Sequence, residues 1–358
     1  DDTALVYDRQ PTQPFSSTLT IADRDMQFDV GLGQGKALVV GDVTGDLVDD
    51  IILVLPGVPG VPGEAPFRAG LFFGQSGSVG LPDILSLDAA DVVFQGEEGV
   101  PDLAPAAAGV GDVNGDGVGD LLLGDPSAAS GEGRAYLILG RRGDGWSPAV
   151  SLADADWQLS VPGAIGFGGS VAAAGDVNGD GLADVLVGGA AILDQAGATW
   201  LFRGREGGMP PAEIVFYSPS GALPVPPDLA GLGDSNGDGL SDLLIASPGA
   251  PVALVYGQPD STWPTSPPSP ILLDTDADAL FDAFGPEQTV SAAGDLNGDG
   301  LGDMLVGDPE AATPRVFIVY GRRPEDPWPE SPPLTIAIED LTDPFFVETS
   351  LAGSRLGA

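Results

Sequence analysis

Short apolar runs, separated by glycine, proline and acidic residues, recur along the whole chain. RAYLILG at 134–140 and RVFIVYG at 315–321 are two such runs, and each ends in glycine. The chain shows no three-to-four-residue apolar spacing over a length that would make a useful amphipathic helix. Short strands separated by turn residues are typical of an all-β protein, so the pattern predicts strands throughout.

One acidic segment recurs five times and is the most specific signal in the sequence. Its third copy reads GDVNGDGLADVLVGG, and the other copies superpose on it without gaps. The copies start 70, 64, 58 and 61 residues apart, and their first acidic residues are Asp42, Asp112, Asp176, Asp234 and Asp295. A period of this length indicates an array of similar supersecondary units.

Each period holds four predicted strands. A small-residue strand precedes the acidic segment, a buried apolar strand follows it, and a strand ending in glycine comes next. A more polar fourth strand follows a proline-rich loop, for example at 212–218 and 334–340. Four short strands per repeat predict a β-propeller of four-stranded antiparallel blades, with the acidic loops between first and second strands.

The two ends of the chain read as one broken blade. Residues 3–8 match a third strand, 18–28 match a fourth strand, and 353–358 resemble the entry to a first strand. We therefore expect a single propeller over 1–358 with a partial blade at 1–28 and 345–358, and a ring of about six blades. Seven blades, the alternative, would need more chain. The end fragments could instead pair with a neighbouring chain.

The acidic loops carry the spacing of a calcium site. Oxygen-bearing side chains stand at positions 1, 3, 5 and 9, a carbonyl at position 7 can add another ligand, and hard oxygen ligands suit Ca²⁺. Position 12, a glutamate in an EF-hand, lies here in an apolar strand. The predicted ligands are Asp112, Asn114, Asp116, Val118 and Asp120; Asp176, Asn178, Asp180, Leu182 and Asp184; Asp234, Asn236, Asp238, Leu240 and Asp242; Asp295, Asn297, Asp299, Leu301 and Asp303.

The first copy departs from this pattern. It keeps Asp42, Asp46 and Asp50, but Thr44 replaces asparagine and Leu47 replaces the glycine of position 6. We expect this fifth site to be weaker or empty. An asparagine- and aspartate-rich hairpin turn without metal is the plain alternative for all five copies, although a turn does not need three spaced carboxylates.

Charge and composition exclude several classes of catalytic and binding site. The 358 residues include 53 acidic and 13 basic side chains, with a net charge of −40 and neither histidine nor cysteine. This excludes serine–histidine triads, thiol nucleophiles and most zinc sites, and a phosphate backbone would be repelled. We expect no nucleic-acid partner, and no apolar stretch is long enough to span a membrane.

The repeats resemble the FG-GAP family, the calcium-binding β-propeller of integrin α subunits and its bacterial relatives. The Phe-Gly element appears at Phe167-Gly168 and less closely at Leu356-Gly357. The Gly-Ala-Pro element appears as Gly124-Asp125-Pro126, Gly307-Asp308-Pro309 and Ala246-Ser247-Pro248. The resemblance implies a secreted or cell-surface adhesion or ligand-recognition scaffold with structural calcium. It also implies a ligand site on the face opposite the calcium loops.

Three functional hypotheses follow. The first is an extracellular propeller that binds a protein or glycan, and the second is a self-assembling surface or filament subunit completed by neighbouring terminal strands. The third, a polysaccharide-active enzyme, has only carboxylate pairs such as Glu97–Glu98 to support it, so we expect no enzyme. Trp146, Trp263 and Trp328 recur at one repeat position, where they could stack on sugars or cap their blades. In Arg142-Gly143-Asp144, an integrin-recognition tripeptide, the repeat architecture already explains the arginine.

Overall fold

The computed structural model describes 3–6, 26–29, 36–56, 67–74, 84–96, 106–192, 195–207, 214–218, 225–263, 270–282, 288–309, 315–324, 335–337 and 345–348. Trp328, the pair Glu97–Glu98 and the fragment 353–358 lie outside these residues. No helix within the described ranges is long and apolar enough to cross a bilayer.

Five sheets each contain one acidic loop, and the strands are numbered in chain order. Sheet 1 has β3 Lys36–Gly41, β4 Asp50–Pro56, β5 Phe67–Phe72 and β7 Val92–Gln95. Sheet 2 has β8 Ala106–Gly111, β9 Asp120–Asp125, β10 Arg134–Ile138 and β12 Trp157–Leu159. Sheet 3 has β14 Ser170–Gly175, β15 Asp184–Ile192, β16 Gln195–Phe202 and β17 Ile214–Tyr217. Sheet 4 has β18 Asp228–Gly233, β19 Asp242–Ala246, β20 Val252–Val255 and β22 Ala279–Asp282. Sheet 5 has β23 Thr289–Gly294, β24 Asp303–Asp308, β25 Arg315–Val319 and β27 Phe345–Glu348.

The remaining described elements are short. The strands are β1 Thr3–Val6, β2 Met26–Asp29, β6 Ile84–Leu85, β11 Ala149–Ser151, β13 Ala164–Ile165, β21 Ile271–Leu272 and β26 Thr335–Ala337. Single helical turns lie at α1 Ala128–Gly131 and α2 Leu273–Asp276, and 3₁₀ turns at Leu87–Ala89, Gly143–Gly145 and Leu152–Asp154.

The hydrophobic core lies between consecutive sheets. Each of its four clusters draws buried side chains from two neighbouring sheets: 1 with 2, 2 with 3, 3 with 4, and 4 with 5. A second strand such as β9 is therefore covered on both faces, and all its residues are buried. This explains why the second strands read as unbroken apolar runs instead of alternating with polar residues.

Small residues in the first strands allow the backbones of neighbouring sheets to approach. A Cβ atom added to Gly109 would lie 1.9 Å from the carbonyl oxygen of Val40, and one added to Gly231 would lie 2.5 Å from that of Ala173. Real side chains cannot come so close, so glycine is needed there. The first strands of successive sheets lie side by side, as predicted for a propeller-type array.

A short strand from the next repeat extends the outer edge of several sheets. β6 pairs parallel with β2, β11 with β7, β21 with β17, and β26 with β22. The prediction that 334–340 forms the fourth strand of its own repeat is wrong. β26 lies against sheet 4, and β27 pairs antiparallel with β25 as the fourth strand of sheet 5.

The N-terminal strands form an antiparallel pair, β1 with β2, as third and fourth strands of a blade would. The structure confirms an all-β architecture of several antiparallel sheets. The assembly of a partial blade from 1–28 and 345–358, the number of blades and the closure of a ring stay predictions.

Candidate metal centres in the acidic loops

The five acidic loops connect the first and second strands of their sheets, as predicted. They are loop 1 (42–50), loop 2 (112–120), loop 3 (176–184), loop 4 (234–242) and loop 5 (295–303), and their residues are called positions 1 to 9. Each loop enters its second strand at position 9, which is also the first residue of that strand.

The position-9 aspartate is fully buried in every loop. In loop 3, Asp184 accepts hydrogen bonds from the backbone N–H of Val177 at 2.9 Å and of Gly204 at 2.7 Å. Gly204 ends the third strand region, so one carboxylate ties the loop to a neighbouring strand. The equivalent carboxylates, Asp50, Asp120, Asp242 and Asp303, make the same pair of bonds and are likewise 0 % exposed.

The other oxygen-bearing side chains hold the turn from inside. Asp176, at position 1 of loop 3, accepts the N–H groups of Gly179 at 2.7 Å and Gly181 at 2.8 Å. The amide of Asn178 donates to the carboxylate of Asp180 at 3.0 Å, and its oxygen accepts the N–H of Asp180 at 3.1 Å. The carboxylates and amide of positions 1, 3 and 5 are thus gathered into one turn.

Position 6 requires a left-handed backbone. Its φ is +78° at Gly117 and +88° at Gly181, a region that glycine enters without steric cost. In loop 1 the same position is Leu47, with a φ of +71° and 93 % of the residue exposed. Loop 1 therefore adopts the same turn against the preference of its residue.

Burial raises the pKa of the position-9 carboxyls of loops 1 to 4. It raises the pKa of Asp50, Asp120 and Asp242 to about 6 and that of Asp184 to about 7, while their backbone hydrogen bonds act in the opposite direction. The carboxylates of positions 1 and 5 add to the rise at Asp184, because like charges nearby disfavour ionisation.

The chemistry of the donors fits a hard divalent cation, since they are all carboxylate, amide and carbonyl oxygens. Within the described residues, no three acidic side chains converge closely enough to hold a metal ion unaided. Their oxygens accept N–H groups instead, as the contacts of Asp176 and Asp184 show. A carboxylate has about four lone-pair sites, so these bonds leave capacity for a cation.

The loops also join neighbouring sheets, which the sequence reasoning missed. The position-1 carbonyl of Asp112 accepts the N–H of Ala183 at 2.9 Å, from position 8 of the next loop. Three more junctions repeat this bond: Gly119 to Asp42, Ser241 to Asp176, and Gly302 to Asp234. The glycine at position 4 of all five copies was the available signal: a Cβ on Gly179 would lie 2.9 Å from the Leu240 side chain of the next loop.

Two of the recurring tryptophans lie against the preceding sheet. Trp263 is 3 % exposed and packs on Phe216 with ring centroids 6.4 Å apart. Trp146 packs on Phe94 at 6.2 Å and lies under the guanidinium of Arg141. These contacts favour the interpretation that both rings pack within the protein over the interpretation that they stack on sugars.

The Phe-Gly element, Phe167-Gly168, contacts both sheet 2 and sheet 3. Phe167 is fully buried and packs on Trp200 with ring centroids 5.1 Å apart. A Cβ on Gly168, whose φ is +85°, would lie 2.2 Å from the carbonyl oxygen of Arg134. The N–H of Phe167 donates at 3.0 Å to the carbonyl of Glu132, in the segment that links β9 and β10 of sheet 2.

Comparison with known proteins agrees with this geometry. The model of the FG-GAP repeat matches residues 167–202, which include Phe167, loop 3 and β16. Integrin alpha-4 of Xenopus laevis is 34 % identical over 111 residues, covering 30 % of this chain and 10 % of that protein. Integrin alpha-5 of Xenopus laevis is 27 % identical over 244 residues, covering 63 % of this chain and 21 % of that protein. The chain thus matches only a tenth to a fifth of the length of these relatives.

Among solved structures, a Bacillus licheniformis rhamnogalacturonan lyase has a TM-score of 0.40 and 11 % identity, and covers 80 % of this chain and 49 % of its own. That likeness is too low to support any statement about activity. One stretch of the chain therefore matches the FG-GAP repeat, and parts of the chain are similar to integrin α subunits.

Proposed function

We propose that the chain is a calcium-stabilised extracellular propeller that recognises a protein or glycan partner on the face opposite its acidic loops. The observation that carries the calcium assignment is the repeated loop itself. Five times, a buried position-9 carboxylate and the oxygens of positions 1, 3 and 5 lie in one turn. The relatives, named as integrin α subunits, support the recognition role.

Calcium would act on the array as well as on each loop. The position-1 residue offers its side chain to the predicted site and its backbone carbonyl to the next loop. A cation that orders this residue would therefore stabilise the junction between two sheets. At ten times its dissociation constant, a site that binds only the folded state contributes about 1.4 kcal/mol to the free energy of unfolding.

The expected affinities match an extracellular location. Calcium modules outside cells bind with dissociation constants of about 10⁻⁴–10⁻³ M, so they fill at millimolar calcium and would stay empty in the cytosol. A net charge of −40 also favours cation binding and solubility over association with anionic surfaces.

Thermal melting in millimolar calcium and in chelator, each followed by size-exclusion chromatography, tests the proposal. We expect a large loss of melting temperature on chelation and a monomer in calcium. An unchanged melt would contradict the calcium assignment. Calcium-dependent growth in size would replace the recognition role by the self-assembling subunit.

A further inference from the structure

Two arginines occupy the same place in two different repeats. Arg142 and Arg323 each stand two residues after the glycine that follows the third strand, Gly140 and Gly321 respectively. The guanidinium of Arg142 donates to the carbonyl of Gly45 in loop 1 at 3.4 Å and to that of Gly117 in loop 2 at 3.1 Å. This side chain therefore bridges two neighbouring acidic loops.

Arg323 repeats the arrangement at the other end of the array. It donates to the carbonyl of Asp299 in loop 5 at 3.3 Å. A Cβ atom added to Gly237 in loop 4 would lie 3.1 Å from its Nη1, as one added to Gly45 would lie 3.1 Å from Nη1 of Arg142. The position-4 glycine thus leaves room for the guanidinium in both junctions.

We propose that Arg142 and Arg323 are resident cations that hold loops 1 and 2, and loops 4 and 5, together without bound metal. The chain has only 13 basic residues against 53 acidic ones, and these two lie over loops rich in carboxylates. A guanidinium cannot be deprotonated in a protein, so its charge remains at any physiological pH. The inference does not require calcium to bind.

The junction between loops 2 and 3 provides the internal contrast. Glu206 stands there in the place of Arg142, and its Cγ would lie 3.7 Å from a Cβ on Gly115. The carboxylate of Glu206 adds to the repulsion among the carboxylates of the neighbouring loops, whereas a guanidinium would reduce it. At this junction the guanidinium bridge is replaced by a like charge.

The engagement of Arg142 also bears on the tripeptide Arg142-Gly143-Asp144. Its guanidinium is directed to loop carbonyls by the contacts above. The tripeptide thus has a role in joining two repeats of its own chain, which accounts for its arginine without a receptor.

Hydrogen exchange of the full chain, read residue by residue in chelator, tests the proposal with Arg142→Gln and Arg323→Gln. The backbone N–H of Gly119 donates to Asp42 across the first junction, and that of Gly302 donates to Asp234 across the fourth. We expect Arg142→Gln to reduce the protection factor of Gly119 about fivefold and leave Gly302 unchanged. Arg323→Gln should do the reverse. A fivefold change in protection factor corresponds to the upper range of the free energies that exposed charged contacts contribute.

Arg205→Gln is the matched control, because Arg205 is an exposed arginine one residue before Glu206. It should leave both amides unchanged, and Glu206→Arg should increase the protection of Ala183. Equal losses at all junctions, or an Arg142→Gln profile identical to that of Arg205→Gln, would overturn the inference. If calcium does not bind, calcium and chelator samples will coincide while the variant effects persist, so the two proposals fail separately.

Discussion

Loop 1 and loop 3 fold into the same turn with different residues at four positions, among them positions 3 and 6. Asp50 and Asp184 make equivalent bonds to the position-2 N–H, both at 2.9 Å. Yet Thr44 donates to Asp42 in loop 1, whereas Asn178 donates to Asp180 in loop 3. The backbone turn therefore does not require asparagine at position 3 or glycine at position 6.

The difference between loops 1 and 3 separates two proposed roles of the loop residues: holding the backbone turn and binding a cation. The aspartates of positions 1 and 9 organise the backbone, because they accept its N–H groups in both loops. Loop 3 also carries Asn178 at position 3, which the turn of loop 1 does without, and the proposed cation site would give this residue a use. Loop 1 is therefore the natural reference for separating folding from metal binding.

The largest effect is expected from Asp184→Asn and Asp50→Asn. Each variant places an amide group where a buried carboxylate accepted two N–H donors, and a buried donor left unsatisfied costs about 1–3 kcal/mol. In chelator, urea unfolding should show similar losses of about 3 kcal/mol for both. In calcium, Asp184→Asn should lose more, since loop 3, unlike loop 1, has the full set of proposed ligands.

Asp88→Asn, at an exposed position of a 3₁₀ turn, is the control and should change unfolding little. Equal losses in calcium would show that loops 1 and 3 do not differ in metal binding.

A pH dependence of stability comes next. The pKa values of Asp50 and Asp184 in the folded chain, about 6 and about 7, lie above the ordinary 3.8 because of burial. A raised pKa means that the contribution to stability is present at low pH and is lost as pH rises through the folded value. In chelator, the melting temperature should therefore rise as pH falls from about 8 to about 5.

Calcium should reverse this trend, because protonation of the carboxylates competes with the metal. Asp184→Asn should flatten the chelator profile between pH 6 and 7 more than Asp88→Asn does. A melting temperature that falls steadily with acid in chelator would contradict the assigned burial effect.

A smaller pair of effects is expected at position 6. Gly181 has a φ of +88° with no atom near its missing Cβ, so Gly181→Ala should cost about 1 kcal/mol from backbone strain alone. Leu47→Gly should instead stabilise by about 0.5 kcal/mol, because the exposed leucine loses no packing and its strained backbone is relieved. Chemical unfolding in chelator measures the free energy of unfolding of both variants. If both variants were stabilised, or both destabilised, position 6 would not favour glycine in loops 1 and 3 alike.

A last effect, on calcium affinity, is expected from Thr44→Asn combined with Leu47→Gly. This variant gives loop 1 the residues of loop 3 at positions 3 and 6. Calcium titration should show tighter binding at the weakest site by up to about tenfold, or about 1.4 kcal/mol. The single variant Leu47→Gly, which leaves Thr44 in place, is the control for the glycine alone.

The sequence predicted the all-β repeats, the place of each acidic loop and the departure of loop 1. These features are local, since spacing and residue type determine them. It did not predict that Gly179 receives the Leu240 side chain, or that Asp184 reaches the N–H of Gly204, because both contacts join residues distant in the chain.

The strand at 334–340 shows how local pattern can mislead. Its alternation of apolar and polar residues is typical of a fourth strand, and β26 is indeed a strand. Its pairing, however, is with β22 of the preceding sheet, while β27 pairs with β25. Strand propensity is a local property, but the choice of partner depends on tertiary packing.

Calorimetric titration of the metal-free chain with calcium counts the metal sites directly. We expect four or five calcium ions per chain, one per acidic loop, with the weakest site lost when Asp50 is changed to asparagine. No detectable binding at millimolar calcium would contradict it, and the loops would then be acidic turns that serve only to join neighbouring sheets.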